Sequence, residues 1–363
     1  MPAFEDLRIV FLGTPDFAVA SLQALVEAGA NIVAVITAPD KPAGRGKHIQ
    51  QSAVKQYALT QNLPVLQPEK LKNPEFLAEL AAYKADLQVV VAFRMLPVAV
   101  WDMPPMGTIN VHGSLLPQYR GAAPINWAVI NGETETGVTT FKLKHEIDTG
   151  DILLQQKVAI LPEDNVGTLY EKLMKAGAEL LVTTVKGLAA SALEEIPQEA
   201  IPESELKIAP KIFKEHTKID WNKPVVDIHN LIRGMSPYPV ALTVLQDKVF
   251  KIYQSHTEVA EHGREVGSYD TDGKTYFYKI YSHDKDHLRS SDKINAVRGM
   301  TLNKPAKPVI TLAQIQGNKA ILNWSAGDKR AMSYNVYKTT EINFWEKKTE
   351  KFTDIKALRF EDH

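Results

Sequence analysis

The first 112 residues alternate apolar runs with segments of helical periodicity. The apolar runs predict buried strands at residues 7–12, 31–37, 64–66, 87–93 and 107–112. Apolar positions three and four apart predict helices between them, at residues 15–29, 50–61 and 73–84. Strands that are apolar throughout and alternate with helices form parallel sheets that are covered on both faces. The pattern therefore predicts an α/β fold with an open, mostly parallel, Rossmann-like sheet.

The pattern changes after residue 137. Two strand-like segments, GVTTFKL and DILLQQKVAI, flank KHEIDTGD and predict a hairpin-type excursion. A helix at about residues 166–189 then completes a first domain, which we place at residues 1–189. Residues 190–210 contain three prolines and five glutamates, a composition that predicts a linker.

Short strands with turn signals follow the linker. Strand candidates at residues 242–253 and 275–281, with a helix at about 224–234, are typical of a small β-barrel or sandwich with an added helix, and we predict an OB-like barrel over residues 211–300. Residues 301–363 begin with a proline-containing break and then alternate apolar and polar positions, which predicts a β-rich tail.

The composition of the chain excludes cysteine chemistry and argues against a membrane-spanning or secreted protein. The chain has 363 residues, which is long for one domain, and it contains no cysteine. Disulfides, a thiol nucleophile and a thiolate metal site are therefore excluded. No run of eighteen apolar residues occurs, and the opening MPAFEDLRIVFLG does not have the features of a signal peptide. We expect a cytoplasmic protein with no membrane partner.

Charge is distributed unevenly along a chain whose formal net charge is only −1. Residues 1–200 sum to −6 and residues 201–363 to +5. The segment KPAGRGKHIQQSAVK, residues 41–55, holds four cations and no acid. A local basic loop of this kind can bind a polyanion although the whole protein is nearly neutral, and we expect no DNA partner.

The turn between the first predicted strand and helix lacks the usual dinucleotide-binding fingerprint. Its turn reads GTPDFA, where that fingerprint needs G-x-G-x-x-G, and no G-x-x-x-x-G-K-[ST] occurs elsewhere. Hydride transfer and ATP chemistry are therefore disfavoured.

A different chemistry is indicated by TINVHGSLLPQYRGAAP, residues 108–124. Asn110 and His112 are two apart in a predicted strand, so both project from the same face at the edge where open α/β sheets bind ligands. A carboxamide can donate to a developing oxyanion, an imidazole titrates near neutral pH, and Asp148 offers an orienting acid. The residues alone leave open a purely structural role for His112, and His145 is interpreted as part of a solvated turn.

Six segments, in order along the chain, resemble the formyltetrahydrofolate-dependent formyltransferase family. They are FLGTPDFA (11–18), TAPDKPAGRGK (37–47), INVHGSLLPQYRGAAPI (109–125), TGVT (136–139), DTGDIL (148–153) and RGMSPYP (233–239). The GTPDFA opening and the second domain resemble the members that act on tRNA. The tail, with Trp324, Tyr334 and Tyr337, is similar to part of a fibronectin type III module.

The resemblance implies transfer of a formyl group from 10-formyltetrahydrofolate to the α-amine of methionyl initiator tRNA, for translation initiation. It implies that Asn110 donates to the formyl oxygen, that His112 stabilises the charge and moves the amine proton, and that Asp148 orients His112. It implies a folate-contacting loop formed by Ser114, Leu115, Leu116 and Pro117. We further predict that tRNA is bound by Lys41, Arg45 and Lys47, and no metal is implied.

Two other classes of function stay open from the sequence. One is formyl transfer to a small amine, such as a sugar nucleotide or a purine precursor, or hydrolysis of the formyl-folate. The other is a binding or adhesion protein with a decayed catalytic domain, suggested only by the tail. The second domain and the basic loop favour tRNA. We expect a monomer unless the tail associates.

Overall fold

The computed structural model describes residues 2–43, 48–198, 202–245 and 247–260, and seven further short stretches: 277–281, 294–300, 309–316, 319–325, 334–338, 350–355 and 359–362. The chain divides into two compact units, Met1–Ser255 and His256–His363.

Within the first unit, seven α-helices and thirteen strand segments are described, and a fourteenth strand, β14, starts at its last residue and belongs otherwise to the second unit. The helices are α1 (Asp16–Glu27), α2 (Ala53–Thr60), α3 (Pro74–Ala82), α4 (Val98–Trp101), α5 (Pro124–Ile130), α6 (Val166–Ala189) and α7 (Val225–Met235). The strands are β1 (Ile9–Gly13), β2 (Ile32–Ile36), β3 (Lys41–Ala43), β4 (His48–Gln50), β5 (Val65–Leu66), β6 (Leu87–Val91), β7 (Thr108–His112), β8 (Arg120–Gly121), β9 (Glu135–Lys142), β10 (Ile152–Ala159), β11 (Ile208–Ala209), β12 (Ala241–Leu245), β13 (Lys248–Ile252) and β14 (Ser255–Ala260).

A seven-stranded sheet forms the centre of this unit, in the order β10-β9-β7-β6-β1-β2-β5. The five strands from β7 to β5 are parallel, and β9 and β10 add an antiparallel edge. The strand order reverses between β1 and β6, so the chain leaves these two strands in opposite directions across the sheet. Open α/β sheets bind ligands at this kind of switch point. The mostly parallel sheet predicted from the sequence is confirmed.

The apolar strands are buried on both faces, which explains their uninterrupted hydrophobic runs. Ile9 and Phe11 point to one face, where they pack with residues of α1, α2, α5 and α6. Val10 and Leu12 point to the other face, where they pack with residues of α3 and α4. The two-residue period of a strand divides one sequence between two cores in this way.

The segment expected to be a linker is tied to the first domain at several points. Strand β11 pairs in parallel with β8, and Ile196 pairs with Ile152 at the start of β10. The Trp127 indole donates to the Pro210 carbonyl at 2.7 Å. These contacts hold the segment against the sheet domain. The same compact unit also includes α7 and the β12–β13 hairpin, and the structural division lies at residue 255.

The second unit is described only as strands. They are β15 (Phe277–Tyr281), β16 (Ile294–Met300), β17 (Val309–Gln316), β18 (Lys319–Ser325), β19 (Tyr334–Lys338), β20 (Glu350–Ile355) and β21 (Arg359–Asp362). They form sheets in the orders β14-β16-β15, β17-β18-β21 and β19-β20. Trp324 lies in β18, and Tyr334 and Tyr337 lie in β19. The β-rich character of the tail agrees with its sequence, and the OB-like barrel stays a prediction.

No helix in the described part of the chain is both long enough and apolar enough to cross a membrane.

Candidate active site

A cleft of about 1170 Å³ opens at the carboxyl ends of β1, β6 and β7. Its wall includes all three side chains singled out from the sequence, Asn110, His112 and Asp148. Asn110 and His112 reach it because they are alternate residues of β7, and Asp148 reaches it from the turn between β9 and β10. The sequence-based expectation that the two strand residues share a face agrees with this arrangement.

The two ring nitrogens of His112 have different surroundings. Its Nε2 lies 2.8 Å from the backbone carbonyl oxygen of Tyr119, and only a protonated nitrogen can donate there. This bond assigns the neutral ring to the Nε2–H tautomer and leaves Nδ1 able to take a proton. Nδ1 lies 3.8 Å from Asp148 Oδ2, which is beyond hydrogen-bond distance but close enough for an ion pair once the ring is protonated.

Tyr119 is itself fixed by several contacts, although nothing in the sequence singled it out. It is buried, has φ of +61°, and its phenol donates to Glu133. Burial and the hydrogen bond to Glu133 raise the pKa of Tyr119, so its phenol stays a donor at neutral pH. The backbone carbonyl that orients His112 is therefore held in place by a rigid residue.

Asp148 occupies a strained turn. Its φ of +56° lies in the left-handed region, which Asp tolerates better than most residues with side chains. Its Oδ2 accepts the Gly121 amide at 2.9 Å. Gly121 has φ of +126°, and a Cβ there would lie 2.5 Å from the Ala209 oxygen, so only glycine fits between β11 and the aspartate.

Asn110 presents a free carboxamide to the cleft. Its neighbours in the sheet are Val90 and Phe141, which pair with it through the backbone. Within the residues that the structure describes, its side chain has no hydrogen bond to another protein group. A half-buried carboxamide placed this way can donate to a ligand atom in the cleft.

The predicted folate loop lies beside the cleft without lining it. Ser114 and Leu116 are buried, and Leu115 and Pro117 are half-buried. The Leu116 amide donates to the Thr139 hydroxyl, which donates to the Ser114 carbonyl, and Gln155 donates to the Leu116 carbonyl. These bonds hold Ser114, Leu115, Leu116 and Pro117 against β9, directly after His112 and beside the cleft.

The apolar wall of the cleft comes from a segment that carries no motif and starts where the predicted strand at residues 87–93 ends. Residues 93–98, FRMLPV, follow β6 and line the cavity, with Met95 75% exposed. The Arg94 guanidinium donates to the backbone carbonyls of Pro68 and Glu69, which fixes this segment at its base. Its position directly after a buried parallel strand at the switch point is the signal that could have identified it.

His145, interpreted as part of a solvated turn, is exposed and also lines the cleft. Its ring makes an edge contact with Trp101, with 5.4 Å between ring centroids.

The predicted tRNA-binding cations are only partly described. Lys41 is exposed and begins β3, whereas Arg45 and Lys47 lie outside the described residues. Lys55, the fourth cation of that segment, is bound by Asp40 at 2.6 Å and Gln67 at 2.7 Å. That ion pair joins α2 to the residue that precedes β3, and it compensates the Lys55 charge.

A second group of cations follows β11. Lys211, Lys214 and Lys218 are exposed, and no ion pair holds them within the described part of the chain. The His216 ring in this segment makes an edge contact with Trp127 of α5. Residues at the start of α5 line the cleft, so these cations lie on the same side of the first unit as α5.

No group of three or more histidines, aspartates or glutamates placed to hold a metal ion occurs among the described residues.

Comparison with known proteins identifies both parts of the chain. The family model "Formyl transferase" matches residues 7–185, and "Formyl transferase, C-terminal domain" matches residues 211–289. The family inferred from the six segments is confirmed.

Curated relatives extend this match over most of the chain. A methionyl-tRNA formyltransferase of Bacteroides fragilis is 57% identical over 278 residues, covering 75% of this chain and 86% of its own. One of Parabacteroides distasonis is 59% identical over 280 residues, with the same coverage. One of Porphyromonas gingivalis is 48% identical over 323 residues, covering 87% of this chain and 97% of its own.

Solved structures share the fold at low sequence identity. The sugar 3N-formyl transferase WlaRD, with dTDP and 5-N-formyl-THF, has a TM-score of 0.59 at 20% identity and covers 82% of this chain and 98% of its own. An N-formyltransferase from Helicobacter canadensis, in complex with folinic acid and dTDP-3-aminofucose, has a TM-score of 0.58 at 19% identity, with coverage of 80% and 98%. At these identities the likeness shows the fold alone, whereas the curated relatives show the family: this chain belongs to the methionyl-tRNA formyltransferases.

Proposed function

We propose that this protein transfers the formyl group of 10-formyltetrahydrofolate to the α-amine of methionine on initiator tRNA. The observation that carries the proposal is the meeting of Asn110, His112 and Asp148 at one switch-point cleft. This arrangement supplies an oxyanion donor, a group that can accept a proton and an acid beside it.

The reaction forms one C–N bond and breaks another. The methionine amine attacks the formyl carbon, negative charge develops on the formyl oxygen, and the bond to the folate nitrogen breaks. The Asn110 carboxamide donates to that oxygen, a type of contact worth roughly 3–4 kcal/mol in the transition state. His112 takes the amine proton at Nδ1, the nitrogen left unprotonated by its bond to Tyr119. Asp148 then stabilises the imidazolium, and the proton passes to the leaving nitrogen, through water.

The cleft has the surfaces that a folate co-substrate needs. A pteridine is flat and largely apolar with polar edges, and small-molecule sites pair apolar walls with a few oriented polar groups. We propose that residues 93–98 form the wall against which the pteridine packs. The loop formed by Ser114, Leu115, Leu116 and Pro117, which hydrogen bonds hold against β9 directly after His112, is proposed to contact the folate beside this wall.

The tRNA is proposed to reach the cleft from two basic segments. Lys41, Arg45 and Lys47 form the first, as expected from the sequence. The exposed Lys211, Lys214 and Lys218 form the second, on the segment that contacts α5. Cations in two places can hold the phosphates on both sides of an acceptor end. Initiator tRNA as the partner, a monomeric state and a cytoplasmic location belong to this proposal.

The second candidate function is formylation of an amino sugar on a nucleotide. It is favoured by one observation, the shared fold of two solved sugar formyltransferases. Their identity to this chain, 19–20%, is far below the 57–59% that the chain shares with two methionyl-tRNA formyltransferases. The chain also matches the C-terminal formyl transferase domain.

A direct assay tests the proposed function. The full chain is incubated with 10-formyltetrahydrofolate and methionyl initiator tRNA, the aminoacyl bond is hydrolysed, and the amino acid is analysed for N-formylmethionine. We expect formylation that depends on the folate and on the chain. A folded protein that leaves methionine unformylated would contradict the proposal.

A further inference from the structure

Gln198 connects the segment after α6 to the turn that carries Asp148. Its Nε2 donates to the backbone carbonyls of Asp148 and Gly150, both at 2.8 Å. Its Oε1 accepts from Arg120 Nε at 3.1 Å and Nη2 at 2.6 Å. Both polar atoms of the Gln198 amide are therefore hydrogen-bonded, the nitrogen to the Asp148 turn and the oxygen to Arg120.

The approach of Gln198 to the turn is itself fixed. Two residues earlier, Ile196 and Ile152 exchange backbone hydrogen bonds at 2.8 and 2.9 Å. Ile152 begins β10, directly after the Asp148 turn. The segment is thus anchored to the strand that leaves the turn, and the Gln198 side chain extends from this anchor to the carbonyls.

The turn needs such a contact because its backbone is unfavourable and its acid is lightly held. Asp148 has a left-handed backbone conformation. Among the described residues, its carboxylate accepts one hydrogen bond, from the Gly121 amide. The position of the carboxylate relative to His112 therefore depends on the conformation of the turn.

Arg120 gives the Gln198 amide its orientation. A guanidinium only donates, so the amide atom facing it is the oxygen, and the NH₂ group faces the two carbonyls. Arg120 is also the neighbour of Gly121, whose amide binds the Asp148 carboxylate. Gln198 thus holds the backbone of Asp148, and Gly121, the neighbour of the Arg120 that orients Gln198, holds its carboxylate.

We propose that Gln198 is a positioning residue for Asp148, acting through the hydrogen bonds of its side-chain amide. This inference rests on the proposed function, because it assigns Gln198 an effect on formyl transfer. It requires the effect to pass through Asp148 and to leave substrate binding unchanged.

Gln198→Glu is the sharpest variant. The carboxylate keeps the acceptor for Arg120 but has no N–H for the carbonyls, and it places an oxygen against two other oxygens. We expect kcat to fall at least tenfold, KM for both substrates to stay within twofold, and the melting temperature to stay close to that of the wild type. In the double variant with Asp148→Asn, we expect kcat close to that of Asp148→Asn alone, because the two residues act as a unit.

Glu195→Gln is the matched control. It removes the ion pair of Glu195 with Lys142 from the same segment without touching the Asp148 turn, and we expect wild-type kcat. Wild-type kcat in Gln198→Glu, or losses that multiply in the double variant, would overturn the proposal. If Gln198→Glu does not fold, Arg120→Gln replaces it: a fall in kcat with KM unchanged supports the proposal, and an unchanged kcat overturns it.

Failure of the proposed function is distinguishable from these results. It would appear as no formylation of methionyl-tRNA by the wild type and Glu195→Gln. Full activity in Asp148→Asn would leave the function standing and overturn the role of Asp148, and with it the assignment of Gln198. Full activity in Gln198→Glu beside an inactive Asp148→Asn overturns the assignment of Gln198 alone.

Discussion

His112 combines a fixed orientation with an unoccupied proton-accepting nitrogen. The Tyr119 carbonyl holds Nε2, and the gap of 3.8 Å between Nδ1 and Asp148 Oδ2 leaves room for the ion pair to tighten when the ring becomes charged. Apo active sites often show long contacts of this kind, which shorten in the complex with substrate. The proposed mechanism uses this geometry: Nδ1 takes the amine proton, and Asp148 stabilises the charged ring that results.

His112→Ala and Asp148→Asn test this arrangement at the residue scale. We expect each to lower kcat for formyl transfer by roughly 10²-fold or more, the range for general acid–base groups. Binding of the formyl-folate should stay within about twofold, because the apolar wall at residues 93–98 is untouched. Steady-state kinetics and equilibrium titration measure the two effects separately. Near-normal turnover in either variant would remove that residue from the mechanism.

Gly150 tests the packing beneath the turn. A Cβ at this position would lie 1.5 Å from the Lys142 carbonyl oxygen, so the backbone would have to move. We expect Gly150→Ala to destabilise the protein by roughly 3 kcal/mol, the upper end for an overpacked site, and to abolish activity. Thr149→Ala is the control, since it removes only a hydroxyl bond to the Glu146 carbonyl in the same turn. Equal stability of both variants would contradict the described packing.

At the scale of elements, the start of α6 is joined to α7 through Asp164. Burial alone raises the pKa of Asp164, but hydrogen bonds from Lys172, the Leu161 amide and Thr168 outweigh it and lower the pKa below its usual value. Arg233 of α7 donates to the Asp164 backbone carbonyl at 3.1 Å. Helix α7 is therefore held against the start of α6 at the residue whose carboxylate is bound by Lys172, Leu161 and Thr168.

Asp164→Asn should make the protein less stable at neutral pH, by about 2 kcal/mol for the lost charged hydrogen bonds. A carboxylate whose pKa is lower in the folded state adds stability above its unfolded pKa, and this stability is lost as pH falls through the folded pKa. The difference between variant and wild type should therefore shrink below about pH 4. Denaturant unfolding at several pH values measures it, and a difference that persists at low pH would contradict the account.

The elements that could be predicted from the sequence are those whose reasons are local. Helix α6 was expected at about residues 166–189 and runs from Val166 to Ala189, because a long amphipathic segment follows the N-cap Asn165. Helix α5 was missed, since its seven residues follow a loop rich in glycine and proline. Strand β11 could not be predicted from the proline- and glutamate-rich composition of residues 190–210, because it forms by pairing with β8, which is far away in sequence.

The residues of the candidate site also differ in whether the sequence predicts them. Asn110 and His112 could be predicted because alternate residues of a strand end share a face. The Tyr119 carbonyl could not, since a backbone acceptor has no residue type to identify it. Gln198 lies fifty positions from Asp148, and only the folded chain brings them together.

At the scale of the whole molecule, charge separates along the chain, with −6 over residues 1–200 and +5 beyond them. The basic segment after β11 belongs to the positive part and lies against α5. Under the proposed function, these cations attract the phosphates of the tRNA to the part of the first unit that lies next to α5.

The double variant Lys211→Gln/Lys214→Gln should raise KM for tRNA and leave KM for the folate unchanged. Each lost phosphate contact should reduce the slope of log KM against log salt by about 0.7–0.9. Arg45→Ala should show the same change for one contact. Lys175→Gln, an exposed cation of α6, is the control. Salt dependence identical to the wild type would exclude these segments from tRNA binding.

The central claim, that the amine substrate is methionyl initiator tRNA, is tested most directly by comparing kcat/KM across amines. The wild-type chain is assayed with a fixed concentration of 10-formyltetrahydrofolate against methionyl initiator tRNA, free methionine and a dTDP-linked amino sugar. We predict that kcat/KM for the charged tRNA exceeds the other two by at least about 10³-fold, because only the tRNA combines the amine with a phosphate backbone long enough to reach both basic segments. Equal or higher kcat/KM for the amino sugar would contradict the account.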